Sequence, residues 1–136
     1  PWSGHMAFPG GRREPLDPDL ERTAARETLE EVGLDLSTHG QLVGPLHDVP
    51  THKSGFIVRP FVWKIDELPP LVPNHEVAAV SWVDLASLAS GARDTTYPLE
   101  WEGQLHRFPA YTVEGGIVWG FTYRVLSILF EVLRSE

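Results

Sequence analysis

Cysteine is absent from the 136 residues. Its absence excludes disulfides and thiolate metal sites. It also agrees with a cytoplasmic location, the expectation here. Positive charge is scarce: 11 Lys and Arg stand against 19 Asp and Glu, leaving a net charge of −8 at pH 7. That balance argues against a general binder of nucleic acid or of acidic membranes. It suits a protein that holds metal cations and lets them neutralise an anionic substrate. No apolar run approaches the roughly 20 residues of a membrane span. The length allows one domain with its own core, residues 1–136, and no repeat, low-complexity tract or interdomain linker divides it.

What is present is concentrated early in the chain. Residues 8–34 read FPGGRREPLDPDLERTAARETLEEVGL. Residues 1–17 are loop-like, rich in proline and glycine. A helix is expected over 18–32, with Asp17 as N-cap, Pro18 at the first helical position and Gly33 as the stop. Residues 41–49 predict a short strand. Residues 56–65 predict a stronger one, with a change of phase at Pro60 that implies a bulge or an edge. A strand is expected over 77–83 and a short helix over 84–89, capped by Asp84. Irregular chain is expected over 91–103, followed by a hairpin of 105–113 with 117–119. The last helix, 121–134, confines Arg124, Ser127, Glu131 and Arg134 to one narrow stripe, the pattern of a helix packed into a core. Strands and helices are mixed along the chain, so the fold class is α/β or α+β.

The first helix breaks two rules at one place. On a wheel with Glu27 at zero, Glu30 falls at about −60° and Glu31 at about +40°. The three carboxylates therefore share a face, while Ala24, Ala25, Thr28, Leu29 and Val32 spread over the other. Like charges at these spacings repel by a few tenths of a kcal/mol per pair. Glu30 and Glu31 also lie in the last turn, against the helix dipole. Carboxylates gathered at such a cost make a hard oxygen site, suited to Mg²⁺ or Mn²⁺. A solvated acidic face is the competing reading of the same spacing. Gly10 and Gly11 favour the metal reading, because backbone without side chains can approach an ion or a phosphate closely. Arg26, four residues before Glu30, can pair with it.

This stretch resembles the Nudix box, G-x5-E-x7-R-E-U-x-E-E-x-G-U, where U is aliphatic. Arg26, Glu27, Glu30, Glu31, Gly33 and Leu34 match its second half; Thr28 stands where an aliphatic is usual. The interval from Gly11 to Arg26 is one residue longer than the general pattern, and Asp17 stands about where the first glutamate belongs. That lengthened spacing is similar to the coenzyme A pyrophosphatase-like branch of the Nudix hydrolases. So are SGFIVRPFV at 54–62, EVAAVSWVDL at 76–85 and VWGFTYRVL at 118–126. The branch usually places a histidine, a glycine and an acidic or amide residue before FPGG; here Trp2, Gly4 and His5 stand there.

The resemblance implies an α/β/α sandwich with a mixed sheet and the box as loop–helix–loop. Family domains carry strands before the box, so residues preceding Pro1 are expected. It implies hydrolysis of a diphosphate linkage in a nucleoside diphosphate derivative, coenzyme A or a related nucleotide. A nucleoside triphosphate or ADP-ribose pyrophosphatase and a non-catalytic nucleotide-binding module are the alternatives. Glu27, Glu30 and Glu31 would hold Mg²⁺ or Mn²⁺, with the Gly10 carbonyl as a further ligand. Arg26 would orient Glu27 or Glu30. The general base stays open between a site carboxylate and a hydroxide on the metal, with Glu76 as the candidate on a later loop. A surface charge at a strand start is the other reading of Glu76. Arg12 is the candidate phosphate contact. Trp119 and Tyr111 are read as packing residues before stacking ones. The partner is a small-molecule nucleotide, neither nucleic acid nor membrane, and the reading leaves room for a homodimer.

Overall fold

The computed structural model describes residues 4–51 and 55–135. Trp2 and Ser54, which figure in the branch comparison, lie outside the described residues. The chain forms two compact units, Pro9–Ser81 and Pro1–Phe8 with Trp82–Glu136.

The first unit is built around helix α1, Leu20–Val32. Its N-cap is Asp19, whose side chain accepts from the Arg22 N–H at 2.9 Å. The expected cap, Asp17, is corrected: its carboxylate is taken up by Arg26, Thr23 and the Glu14 N–H instead. Gly33 ends the helix as expected, at φ 74°, with its N–H donating to the Leu29 carbonyl. The buried positions of α1 are Thr23 and Thr28. Thr28 tolerates burial because its hydroxyl donates to the Ala24 carbonyl at 2.7 Å.

One further turn, α2 (Leu36–His39), follows. The strand expected over 41–49 divides into β1, Gly40–Pro45, and β2, Val49–Pro50. The strand expected over 56–65 divides at Arg59–Pro60 into β3, Ile57–Val58, and β4, Phe61–Ile65. β1 pairs with β4 and β2 with β3, both antiparallel. The register shift falls on β1, between Leu42 and Gly44. Residues 77–83 form no strand, which corrects that expectation: the Val77 N–H donates to the Asn74 carbonyl in a turn, and among the described residues no strand pairs with the segment.

In the second unit, α3 (Leu85–Ala89) is capped by Asp84 as expected. Strands β5 (Asp94–Trp101), β6 (Gln104–Val113) and β7 (Gly116–Trp119) form an antiparallel sheet in that order. The hairpin of β6 and β7 was expected; β5 was not. Its Thr95, Thr96 and Tyr97 favour a strand, and Pro98 is accommodated because β5 lies at the sheet edge. His5 makes an isolated parallel bridge to Ile117. The last helix, α4 (Gly120–Arg134), buries Val125, Leu126, Ile128 and Phe130 and exposes its polar stripe. Leu126 and Phe130 pack with Tyr111, Val113 and Val118, each such burial contributing about 1.5–3 kcal/mol. Trp119 stacks on Tyr97 with ring centroids 4.2 Å apart, so Tyr111 and Trp119 both pack. No described helix is long and apolar enough to cross a membrane.

The stop at Gly33 is testable. A Cβ there would sit 3.2 Å from the Val72 Cβ, at a φ that L residues disfavour. Gly33→Ala is expected to lower unfolding stability by about 1–2 kcal/mol, measured by urea denaturation.

Candidate active site

The centre of the first unit is an ion-pair cluster around Arg26. Asp17, 5% exposed, accepts from Arg26 Nε at 3.0 Å on one oxygen and from Arg26 Nη2 at 2.9 Å on the other. This two-pronged geometry matches a carboxylate to a planar guanidinium. The same carboxylate also accepts from Thr23 Oγ1 at 3.0 Å and the Glu14 N–H at 2.9 Å. The Arg26 hydrogen bond, with those of Glu14 and Thr23, holds the Asp17 carboxyl well below the usual carboxylate range, against the effect of burial. Arg26 Nη2 also donates to the Arg12 carbonyl at 3.2 Å, so the loop after the glycines is tied to the helix.

The remaining donor, Arg26 Nη1, reaches the acidic face. It lies 2.9 Å from Glu27 Oε1 and 3.2 Å from Glu30 Oε2. Glu27 is set against the loop: a Cβ on Gly11 would fall 2.5 Å from the Glu27 Cδ. Glu30 is more open, its side chain 54% exposed. Glu31 does not pair with Arg26. Its Oε1 accepts from the Gly10 N–H at 2.9 Å. Burial pushes the Glu31 carboxyl up, and the negative charges of Glu27, Glu76 and Glu30 push it the same way, against the Gly10 bond.

Glu76 enters this field through backbone contacts the sequence reading missed. The Val72 N–H donates to the Val32 carbonyl at 2.8 Å, and the Asn74 N–H to the Glu31 carbonyl at 3.0 Å. Both satisfy carbonyls that a helix C-terminus leaves without partners. The Asn74 side chain then accepts from the Glu76 N–H at 2.9 Å. The proline-broken loop is thus docked on the end of α1, and Glu76 follows. The only sequence signal was the helix stop at Gly33, which announces free carbonyls without saying what covers them.

Arg12 is exposed. Its guanidinium lies 4.2 Å from the centre of the Phe56 ring.

Among the described residues, no three carboxylate or imidazole groups stand close enough to hold an ion between them. Glu27 and Glu30 are drawn to Arg26 instead. The donor chemistry nonetheless fits a hard divalent cation. The groups are oxygen donors, and the repulsion concentrated on Glu31 is of the kind a bound cation relieves.

The profile of the NUDIX domain matches residues 1–102. The chain belongs to the NUDIX domain family. It is 32% identical over 132 residues to the uncharacterized Nudix hydrolase NudL of Yersinia pestis, covering 95% of this chain and 64% of that protein. NudL of Yersinia pseudotuberculosis matches to the same extent. An uncharacterized protein of Schizosaccharomyces pombe is 43% identical over 94 residues, 64% of this chain and 29% of that protein. The chain therefore spans less than two thirds of the length of these relatives. Its mixed helix and strand content is that of a Nudix fold, with the box loop at 8–19, the box helix as α1 and Gly33 at its end.

Asp17 anchors the box, and its low pKa has a consequence. A carboxyl depressed in the folded state contributes stability above its unfolded value, near pH 4, and loses it as pH falls towards the folded value. Asp17→Asn is expected to unfold at lower temperature than the parent at pH 7. The gap should narrow as the pH falls below about 4. Calorimetry across that range would measure it.

Proposed function

We propose that this chain hydrolyses a diphosphate linkage in a nucleoside diphosphate derivative, with Mg²⁺ or Mn²⁺ as cofactor. The observation that carries the reading is Glu31, a half-buried carboxylate with three other carboxylates near it, fixed by the Gly10 N–H. A cluster of that charge is stable when a cation shares it. Glu27, Glu30 and Glu31 would hold the metal, with the Gly10 carbonyl as a further oxygen donor. The metal would neutralise the diphosphate and polarise its P–O bonds. The name Nudix hydrolase carried by the Yersinia relatives supports the same class of reaction.

The chain's own residues have separable tasks. Asp17 fixes Arg26, and Arg26 fixes Glu27 and the box loop. Glu30, exposed and paired to Arg26 only at i,i+4, can leave that pair at little cost. Glu76 is the candidate general base: it belongs to the same electrostatic cluster and is not paired with Arg26. It would take the proton of the attacking water. Arg12 would meet a phosphate oxygen. Coenzyme A or a related nucleotide is the favoured substrate, on the lengthened interval from Gly11 to Arg26.

Incubation with Mg²⁺ or Mn²⁺ and a panel of coenzyme A, ADP-ribose, dinucleoside polyphosphates and nucleoside triphosphates tests this directly. Coenzyme A should yield 4′-phosphopantetheine. Pyrophosphate from triphosphates would instead mark a triphosphate-cleaning enzyme. Tight binding with no product from any member would mark a binding module and overturn the proposal.

Glu30→Gln and Glu31→Gln are expected to lose about 100-fold or more in kcat/KM. Their unfolding stability should be unchanged or raised by a few tenths of a kcal/mol as repulsion is relieved. Gly11→Ala should leave stability nearly unchanged, because the atom it meets ends a flexible side chain. It should cost activity by up to about 100-fold through displacement of Glu27. Steady-state kinetics paired with thermal melts separates these outcomes.

A further inference from the structure

The arginines of the box loop and helix are not used alike. Arg26 is shared among Asp17, Glu27 and Glu30. Arg13 donates to the carbonyls of Asp17 and Pro18 at 3.0 and 3.1 Å. Both are consumed in holding the loop. Arg12 differs: among the described residues its guanidinium has no carboxylate within ion-pair distance, and it lies against the Phe56 ring.

Phe56 is held in place. Its carbonyl accepts from the Thr51 N–H at 2.9 Å and from Thr51 Oγ1 at 2.8 Å. Those bonds lie beside the paired strands β2 and β3, where Pro50 faces Ile57. Arg59 and Asp48 add a two-pronged ion pair on the same hairpin, at 2.8 and 3.2 Å. The ring therefore stands on a fixed base. Arg12 is fixed from the other side, since its carbonyl accepts from Arg26 and the preceding Gly11 lies against Glu27. A guanidinium held by a ring face keeps its N–H donors, because the ring attracts the cation without accepting in-plane hydrogen bonds. A carboxylate partner would have consumed them.

We propose that Phe56 is a positioning residue that holds the Arg12 guanidinium ready for a phosphate oxygen of the substrate. The proposal rests on the diphosphate reading above and adds the element that sets the arginine. It explains why, among the described residues, this arginine of an acidic protein meets a ring and no carboxylate. Pairing it to the cluster would neutralise the site and block the anion. A flexible, unsupported arginine would lose more conformational entropy on binding.

A double-mutant cycle tests it. Phe56→Leu, Arg12→Gln and the double variant would be compared with the parent, with Phe56→Tyr as the conservative replacement. Two readouts apply: steady-state kinetics on the best panel substrate, and calorimetric binding of ADP with Mg²⁺. Phe56→Leu should raise KM, and weaken ADP, by about 2- to 5-fold with kcat nearly unchanged. Phe56→Tyr should restore the parent values. In the Arg12→Gln background, Phe56→Leu should have no further effect. Unchanged KM and ADP affinity in Phe56→Leu, or independent effects that multiply in the double variant, would overturn the proposal. So would a loss confined to kcat, or a parent that does not bind ADP or any panel member. A parent that binds ADP but cleaves nothing refutes the hydrolase reading alone, and the binding cycle still decides the role of Phe56.

Discussion

The pairing of Arg26 with the buried carboxylate of Asp17 is the constraint on which the site depends. It joins a loop to a helix across nine residues, at 3.0 and 2.9 Å, and Thr23 and the Glu14 N–H complete the carboxylate's partners. An ion pair at this depth persists only when its geometry and hydrogen bonds offset the loss of water. Once it is in place, the other guanidinium contacts follow. The Arg12 carbonyl is drawn in, Glu27 is held against Gly11, and Glu30 lies along the same edge. Loss of Arg26 would leave the buried Asp17 carboxylate without its counter-charge and release the Arg12 carbonyl from the helix that carries the glutamates.

Charge crowding at the end of α1 has a local and a distant remedy. Locally, Arg26 balances Glu27 and Glu30, and the Gly10 N–H steadies Glu31. From a distance, the 72–76 loop covers the helix's free carbonyls. That docking brings Glu76 into the neighbourhood of Glu31 and adds to the repulsion there. A fold selected only for stability would place a lysine or arginine in this last turn; the helix has no basic residue there. The surplus of negative charge remains centred on Glu31, the carboxylate of the helix's acidic face that Arg26 does not reach.

Much of this was legible in the residues. The glutamate spacing placed three carboxylates on one face, Gly33 marked the helix end, and the stripe on α4 predicted its burial. What failed did so for tertiary reasons. Asp17 and Asp19 flank Pro18 and give the same local capping signal. Only the position of Arg26, nine residues on, decides that Asp17 is drawn inward and Asp19 caps. Residues 77–83 are apolar enough to read as a strand, but a strand needs a partner, and the Val77 N–H is taken by the Asn74 carbonyl. Residues 91–103 were expected to be irregular, yet Asp94–Trp101 pair with β6 as an edge strand, a tertiary contact. The wheel likewise showed a shared carboxylate face but not that Arg26 would divide it between Glu27 and Glu30 on one side and Glu31 on the other.

In the proposed reaction, this arrangement would expose an anionic phosphorus centre to water. Arg26 holds Glu27 and Glu30, Glu31 is left to the Gly10 N–H, and Arg12 rests against the Phe56 ring. The most direct measurement is hydrolysis of a nucleoside diphosphate derivative in ¹⁸O-labelled water with Mg²⁺, followed by mass spectrometry of the products. The account predicts one ¹⁸O atom in the phosphate of one product, with the other product unlabelled. Turnover with no label on phosphorus, or no turnover of any such substrate, would contradict it.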